Sequence, residues 1–381
     1  MRFIHTSDWH LGKVLHQRSL LEDQQHALAQ LYAILKDTQP DALLIAGDIY
    51  DRSVPPGDAV CVLDDFLARV SLDLALPVVM IAGNHDSAER IGFGARLMAD
   101  RRVCIAGPMT AELPTLTLTD AHGPVVFHPL PYADPATVQL AQPYEDPRTH
   151  QRAMQALVAQ AHARTPAGTR SVCVAHAFVQ GGTESESERP LSVGGSGQVE
   201  PSVFDGFHYV ALGHLHRPQD AGRPELRYSG SLLKYSFSEA EHQKGVSLVE
   251  LNATGAATVQ HLPITPKRDL MRVEGTLEQL LSQPDPAAKQ AYLQVLLTDK
   301  GALLDPMAKL RAVYPHVLDL RRNAFLDVAD PSLPTRDAVR GSKVQLFADF
   351  YSEVGGGTLS DEQRAVLAEV FTSVQAEEDA P

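Results

Sequence analysis

The stretch Leu43-Leu44-Ile45-Ala46-Gly47-Asp48-Ile49-Tyr50-Asp51-Arg52 decides the fold. An apolar run stops abruptly at Gly-Asp, so it reads as a buried strand followed by a tight turn. Asp48 then stands at the carboxyl end of a central strand, where open α/β sheets hold their sites. Arg2–Ser7 and Pro77–Ala82 read the same way, ending in Asp8-Trp9-His10 and Gly83-Asn84-His85-Asp86. Between these runs, Glu22–Lys36 and Gly57–Val70 carry apolar residues at helical spacing. Strand alternating with helix predicts a largely parallel sheet.

Further along, Thr115–Leu118 and Val125–Leu130 are strand-like, and a helix is expected near Arg148–Ala163. Ser171–Ala175 is another buried strand and stops at His176. Gln180–Glu200 is rich in Gly, Ser and Glu and reads as a long loop, with flexibility as its ordinary meaning. Tyr209–Leu212 runs into Gly213-His214-Leu215-His216. Val246–Glu250 and Thr258–Leu262 flank Asn252–Gly255 as a hairpin. This second block of strands predicts a second sheet packed on the first.

From Asp269 the pattern changes to a small α+β unit. Strands are expected near Met271–Glu274, Leu293–Leu297 and Val317–Leu320, and helices at Leu277–Leu281 and Pro306–Val313. Ala329–Pro334 reads as a linker. Two amphipathic helical patterns follow, one with Val344, Phe347, Phe350, Tyr351 and Val354, the other with Val366, Leu367, Val370, Phe371 and Val374. Gly355-Gly356-Gly357 separates them. The expected division is 1–268, 269–328 and 329–381.

With 44% hydrophobic and 21% charged residues, the 381-residue chain has the composition of an ordinary globular protein. A net charge of -14 argues against a standing high-affinity nucleic-acid binder. It leaves room for an enzyme of phosphates whose metal ions supply the local positive charge. The start turns polar too soon for a signal peptide and no apolar run reaches membrane-spanning length, which predicts a cytoplasmic protein without membrane contact. Cys61, Cys104 and Cys173 are scattered in apolar runs and are expected as reduced core thiols. Motifs for zinc proteases, serine hydrolases and phosphate-binding loops are absent from the sequence.

Five apolar runs thus end in one chemical kind of side chain: Asp8 with His10, Asp48, Asn84 with His85, His176, and His214 with His216. Carboxylate, carboxamide oxygen and imidazole are the ligand set of manganese, iron or zinc. Strand ends on one sheet edge converge, so residues far apart in sequence can meet there. Spacing of two puts both members of a pair on one side of an extended segment. His5 and His128 lie within strands and read as hydrogen-bonded core residues. His16, His26, His122, His150, His162, His242 and His316 lie in helices or loops without such company.

The set Asp8-x-His10, Gly47-Asp48-x-x-Asp51-Arg52, Gly83-Asn84-His85-Asp86, His176 and Gly213-His214-x-His216 resembles the calcineurin-like metallophosphoesterase superfamily. The finer wording of His5–Gly12, Ala211–His216 and Tyr228-Ser229-Gly230-Ser231 resembles its branch of bacterial repair nucleases, which pair with an SMC-like ABC ATPase. The resemblance implies an α/β fold: a two-sheet sandwich flanked by helices, with a small α+β cap domain and C-terminal helices. It implies two divalent ions, manganese foremost. One would be held by Asp8, His10, Asp48 and His216, the other by Asp48, Asn84, His176 and His214. It makes His85 the catalytic group at the leaving oxygen and Asp51 its orienting partner. Arg52 would contact a phosphate or form a surface salt bridge.

By the same resemblance the substrate is double-stranded DNA, cut as a 3′–5′ exonuclease at ends and as an endonuclease at hairpins. The C-terminal helices would dock the ATPase coiled coil, and the chain would be a homodimer within a heterotetramer. Arg321, Arg322 and Lys343 would touch the DNA backbone. The rival expectations are a phosphoesterase for small nucleotides and a non-catalytic scaffold of the same fold.

Overall fold

The computed structural model describes residues 1–144, 148–188, 197–299, 303–322, 347–348, 351 and 359–378. The chain divides into two compact units, Met1–Arg322 and Asn323–Pro381. In the first, β1 (Arg2–Thr6) leads through α1 (Leu21–Thr38) to β2 (Ala42–Ile45), then through α2 (Gly57–Ala68) to β3 (Val78–Ile81) and on to β4 (Val103–Ala106). These four strands are parallel neighbours in the order β1-β2-β3-β4. Helix α2 gives way at its end to a wider π turn over Arg69–Asp73.

Next come β5 (Leu116–Asp120), β6 (Gly123–Leu130), α3 (His150–Ala163), β7 (Arg170–His176), β8 (Tyr209–Gly213), β9 (Gln219–Asp220) and β10 (Leu226–Tyr228). They form a second sheet in the order β9-β10-β8-β7-β6-β5. The hairpin of β11 (Gly245–Leu251) and β12 (Ala257–Pro263) follows. It does not join the second sheet, as its place in the sequence predicts. β11 pairs antiparallel with β1, matching Phe3 to Val249, and extends the first sheet to six strands. Its sequence alternation fits the edge of either sheet; Val249 and Leu251 face the core shared by both.

The layering follows from the period-2 alternation of buried strands. Phe3, Leu44, Val79 and Ile81 point inward and meet Phe127, Val172, Val174 and Tyr209 of the opposite sheet. Their neighbours Ile4, Leu43, Ile45, Val78 and Met80 point outward and pack under Leu31, Leu35, Leu63 and Phe66 of α1 and α2. On the far side, Cys173, Val210 and Leu212 pack under Met154 and Leu157 of α3. Strands covered on both faces read as continuous apolar runs, which is why they are legible in the sequence. The Phe3 ring sits edge-on to Phe127 and Tyr209, at 5.7 and 5.6 Å.

The α+β unit closes this first body. Parallel strands β13 (Leu270–Gly275), β14 (Tyr292–Leu297) and β15 (Val317–Arg322) alternate with α4 (Leu277–Ser282), α5 (Pro286–Gln290) and α6 (Pro306–Val313). Tyr292 fastens it to α1: its hydroxyl donates to Asp23 Oδ2 at 2.8 Å, and Arg18 lies over its ring.

In the second unit the described residues are Phe347, Ala348, Tyr351 and the helix α7 (Asp361–Glu378) with its approach. Phe347 meets Phe371 at 6.5 Å between ring centroids. The expected linker, Lys343, Val344, Phe350, Val354 and the triple glycine lie outside the described residues. All three cysteines are free thiols, but Cys61 on α2 is exposed and only Cys173 is fully buried. Among the described residues no helix is long and apolar enough to cross a membrane.

Candidate metal centre

Because β1, β2 and β3 run parallel, as do β7 and β8, their carboxyl ends bring all seven expected ligands to one place. Asp8, His10, Asp48, His176, His214 and His216 are buried, and Asn84 is partly so. The approach is so close that the preceding glycines admit no side chain. A Cβ on Gly83 would lie 2.2 Å from Asp48 Oδ1, and one on Gly213 would lie 1.9 Å from the Ala46 carbonyl oxygen.

The backbone is strained where the ligands turn inward. Asp8, His10, Asp48 and His214 all have positive φ, at 54°, 46°, 50° and 112°. Such conformations cost on the order of 1–3 kcal/mol each and persist when their surroundings enforce them. Here they are enforced by cross-links between ligand turns. Asp8 N–H donates to the Gly47 carbonyl and His10 N–H to the Asp48 carbonyl, both at 3.0 Å. Gln24 of α1 donates to the His10 carbonyl at 2.7 Å. His214 N–H donates to Asp8 Oδ1 at 3.0 Å, joining the two sheets.

Around Asp48 the hydrogen bonds assign the protons. Oδ1 accepts the His85 N–H at 2.9 Å. Oδ2 faces His176 Nε2 at 3.6 Å, His10 Nε2 at 3.7 Å and His85 Nε2 at 4.0 Å. His176 Nδ1 lies 2.9 Å from the Ala46 carbonyl, an acceptor only, so Nδ1 carries the hydrogen and Nε2 a lone pair. That lone pair stands 2.8 Å from Asn84 Oδ1, which is also 3.2 Å from His214 Nδ1. On the other side His10 Nε2 and His216 Nε2 face each other at 3.0 Å. His10 Nδ1 and His214 Nε2 are buried without a hydrogen-bond partner, His10 Nδ1 lying 3.8 Å from Asp51 Oδ1.

Imidazole nitrogens and carboxylate and carboxamide oxygens crowded together in a dry interior suit a cation among them, and this donor set fits mid-row divalent ions. Three triads have their ligand atoms within 4.8 Å of one another: Asp8, His10 and His216; Asp8, Asp48 and His176; and His10, Asp51 and His85. The electrostatics of His10, His214 and Asp8 agree. Burial, then neighbouring imidazoles, hold His10 and His214 well below the usual histidine range. Burial, with Asp48 adding to it, pushes Asp8 up to about 6. Burial would also lower His216, but the Glu239 carboxylate outweighs it and the net shift is upward.

Asp51 departs from expectation. His85 Nδ1 donates to the backbone carbonyl of Asp51 at 2.9 Å, while the Asp51 carboxylate pairs with Lys13 Nζ at 2.8 Å. The contact between the two residues is made by the Asp51 main chain, not by its carboxylate. The Arg52 side chain is 73% exposed, with its Nε 3.7 Å from the Asp51 carboxylate. Arg321 pairs with Asp319, and Arg322 donates to the Asp299 carbonyl.

Other residues of the site carry no signal in the sequence that assigns them a task. Asp86 ends the Gly83–Asp86 motif; its carboxylate accepts the backbone N–H groups of Ile49, Tyr50 and Gly83 at 2.9–3.1 Å, clamping two ligand turns together. The loop after β7 is also more than a flexible connection. Ser187 Oγ lies 2.7 Å from His216 Nδ1, and Glu188 Oε1 accepts the His216 N–H at 2.8 Å. Serine and glutamate in a polar loop give no sign of this in sequence. His150 bonds Tyr132, whose ring is 6.3 Å from that of His176. His5 and His128 are hydrogen-bonded core residues as expected. A separate cavity of about 420 Å³ lies against Tyr292 and Leu270, and none of the seven ligands lines it.

Comparison with known proteins finds two family models along the chain. The calcineurin-like phosphoesterase model matches residues 1–218, and the type 5 capsule protein repressor C-terminal domain model matches residues 266–354. The SbcD subunit of the nuclease SbcCD of Staphylococcus saprophyticus is 33% identical over 378 residues, which is 99% of each chain. Among solved structures, TT1561 of Thermus thermophilus is 15% identical, covering 68% of this chain and 98% of its own, with a TM-score of 0.38. A dimetal phosphatase from Danio rerio is 12% identical, covering 70% and 97%, with a TM-score of 0.43.

Proposed function

Because the chain belongs to the calcineurin-like phosphoesterase family and, within it, to the SbcD group, we propose that it is the nuclease subunit of an ATP-dependent DNA-processing complex. The observation that carries this reading is the convergence of imidazole nitrogens on Asp48 Oδ2, at 3.6–4.0 Å, with Asn84 Oδ1 2.8 Å from His176 Nε2. Asp48 would bridge two divalent ions, manganese foremost, with Asp8, His10 and His216 on one side and Asn84, His176 and His214 on the other. When bound, such a pair polarises a phosphodiester and stabilises the charge that develops in an in-line displacement.

The chain's own groups do the rest. His85 is aimed by the Asp51 carbonyl and presents Nε2 toward the centre, where it donates a proton to the leaving oxygen or offsets its charge. Asp86 keeps the Asp48 and Asn84 turns in register. Lys13, 18% exposed beside Asp51, adds a cation for the DNA backbone, with Arg52 further out.

The full-length match to a nuclease subunit supports double-stranded DNA as substrate, cut from ends as a 3′–5′ exonuclease and at hairpins as an endonuclease. The family match over residues 266–354 supports a cap domain and an SbcC-like SMC/ABC ATPase as partner. In α7, Val366 and Val370 are 61% and 50% exposed, which suits a helix that docks on a coiled coil. Val60, Leu72 and Phe93 line one exposed apolar groove, which suits a homodimer within a heterotetramer. A cytoplasmic location goes with this role.

The test is cleavage of duplex ends and hairpins by the purified chain with its ATPase partner and manganese. Degradation of both, abolished by EDTA, is expected. Turnover of free nucleotides with intact duplex DNA would instead mark a small-substrate phosphoesterase.

A further inference from the structure

Behind His216 lies a buried cluster of charged side chains that holds no ligand position itself. The Glu239 side chain is fully buried and that of Lys244 is 3% exposed. Lys244 Nζ donates to Glu239 Oε2 at 2.5 Å, to the His216 carbonyl at 2.6 Å and to Ser231 Oγ at 2.8 Å, which uses every ammonium hydrogen. Glu239 Oε1 accepts from Ser187 and stands 3.4 Å from His216 Nδ1.

The order of protons follows from the chemistry. A carboxylate offers only lone pairs, so the Ser187 hydroxyl points its hydrogen at Glu239. The Ser187 oxygen then accepts from His216 Nδ1, 2.7 Å away. That fixes the tautomer whose lone pair sits on Nε2, facing His10 Nε2. The same segment grips the His216 main chain through Glu188 Oε1, while Glu188 Oε2 holds Ser185 Oγ at 2.6 Å. Glu186 N–H donates to Ser238 Oγ at 3.0 Å. A buried Glu–Lys pair adds little net stability over apolar residues of similar volume. Its location, aimed at one imidazole, gives it a positioning role instead.

We propose that Glu239 is the positioning residue of His216, acting through Ser187, and that this relay ties the Ser185–Glu188 segment to the metal centre. The proposal rests on the two-cation reading above. A cation on Nε2 requires the tautomer that Ser187 stabilises, so cation binding and the order of the segment strengthen each other. Linkage makes the effect reciprocal.

The test uses the full chain, titrated calorimetrically with Mn²⁺ and digested with a glutamate-specific protease that cuts at Glu184, Glu186 and Glu188. In the wild type two ions bind, and they slow cleavage in this segment several-fold. Ser187→Ala removes the relay without stranding a charge. It weakens one cation site by about 10-fold or more, leaves the other unchanged and loses the protection. Ser187→Thr restores both. The double variant Glu239→Gln with Lys244→Met, which neutralises the pair together, shows the same loss at one site while its circular dichroism matches the wild type. If Ser187→Ala binds two ions as tightly as the wild type and keeps the protection, the relay is refuted and the two-cation reading stands. If the wild type itself binds no Mn²⁺, both fall.

Discussion

His85 Nδ1 lies 2.9 Å from the backbone carbonyl of Asp51, while the Asp51 carboxylate stands between Lys13 Nζ at 2.8 Å and His10 Nδ1 at 3.8 Å. The main chain therefore holds the His85 imidazole whatever side chain position 51 carries. Asp51→Asn should slow single-turnover DNA cleavage by less than about tenfold, since it weakens the contacts to Lys13 and His10 but keeps the carbonyl that holds His85. His85→Gln should slow it by about 10²–10⁴-fold. The opposite ranking would mean that the Asp51 carboxylate, not its carbonyl, is the working group.

Asp86 caps the buried N–H groups of Ile49, Tyr50 and Gly83. Asp86→Ala leaves all of these donors without a partner. At about 1–3 kcal/mol for each stranded group, and with partial rescue by water, the expected destabilisation is about 2–4 kcal/mol. Urea unfolding in EDTA measures it apart from any metal effect. A change below about 0.5 kcal/mol, the range of ordinary surface substitutions, would remove the clamp from the account.

Gly83 is tied to its position by contact. Its missing Cβ would overlap both Oδ1 and the backbone nitrogen of Asp48, at 2.2 and 2.3 Å. Gly83→Ala should therefore displace the Asp48 carboxylate and abolish Mn²⁺ binding. Gly57→Ala is the control, because a Cβ there meets nothing within 4 Å at the start of α2. It should alter stability by no more than about 1 kcal/mol and leave binding intact. Equal Mn²⁺ binding by the two variants would contradict the steric argument.

His5 gives a pH dependence separate from the ligand cluster. It is fully buried between the sheets, with Nδ1 at the Tyr209 hydroxyl and Nε2 at the Leu212 carbonyl. Burial lowers it to about 3, against the pull of that carbonyl, from an ordinary value of 6.5. Below pH 6.5 the unfolded chain takes up a proton that the folded chain refuses. The contribution to stability is thus full above about pH 6.5 and is lost progressively as the pH falls toward about 3. Between pH 6.5 and 5 the loss is about 2 kcal/mol. Urea midpoints of His5→Gln should fall less steeply than the wild type over that interval. Parallel curves would show that His5 does not carry the effect.

The strands and the convergence of their terminal polar residues were legible because both faces of β1, β2, β3, β7 and β8 are covered, which forces unbroken apolar runs that end where polar atoms are needed. Gly47 was legible as a turn, whereas the close approach that excludes a side chain at Gly83 and Gly213 was not. The partner of the β11–β12 hairpin was not legible, since an edge hairpin reads alike on either sheet. The Asp51 carbonyl was hidden because a main-chain acceptor leaves no mark in residue identity. Asp86, Ser187, Glu188 and Glu239 act on backbone N–H groups or through another side chain, so their meaning depends on a geometry that spacing does not encode.

The central claim is that Asp48 is shared by two cations, and Mn²⁺ counted per chain by equilibrium dialysis tests it most directly. The account predicts two ions on the wild type, one on His216→Ala and none held tightly on Asp48→Ala. An Asp48→Ala variant that still binds two ions with wild-type affinity would contradict it.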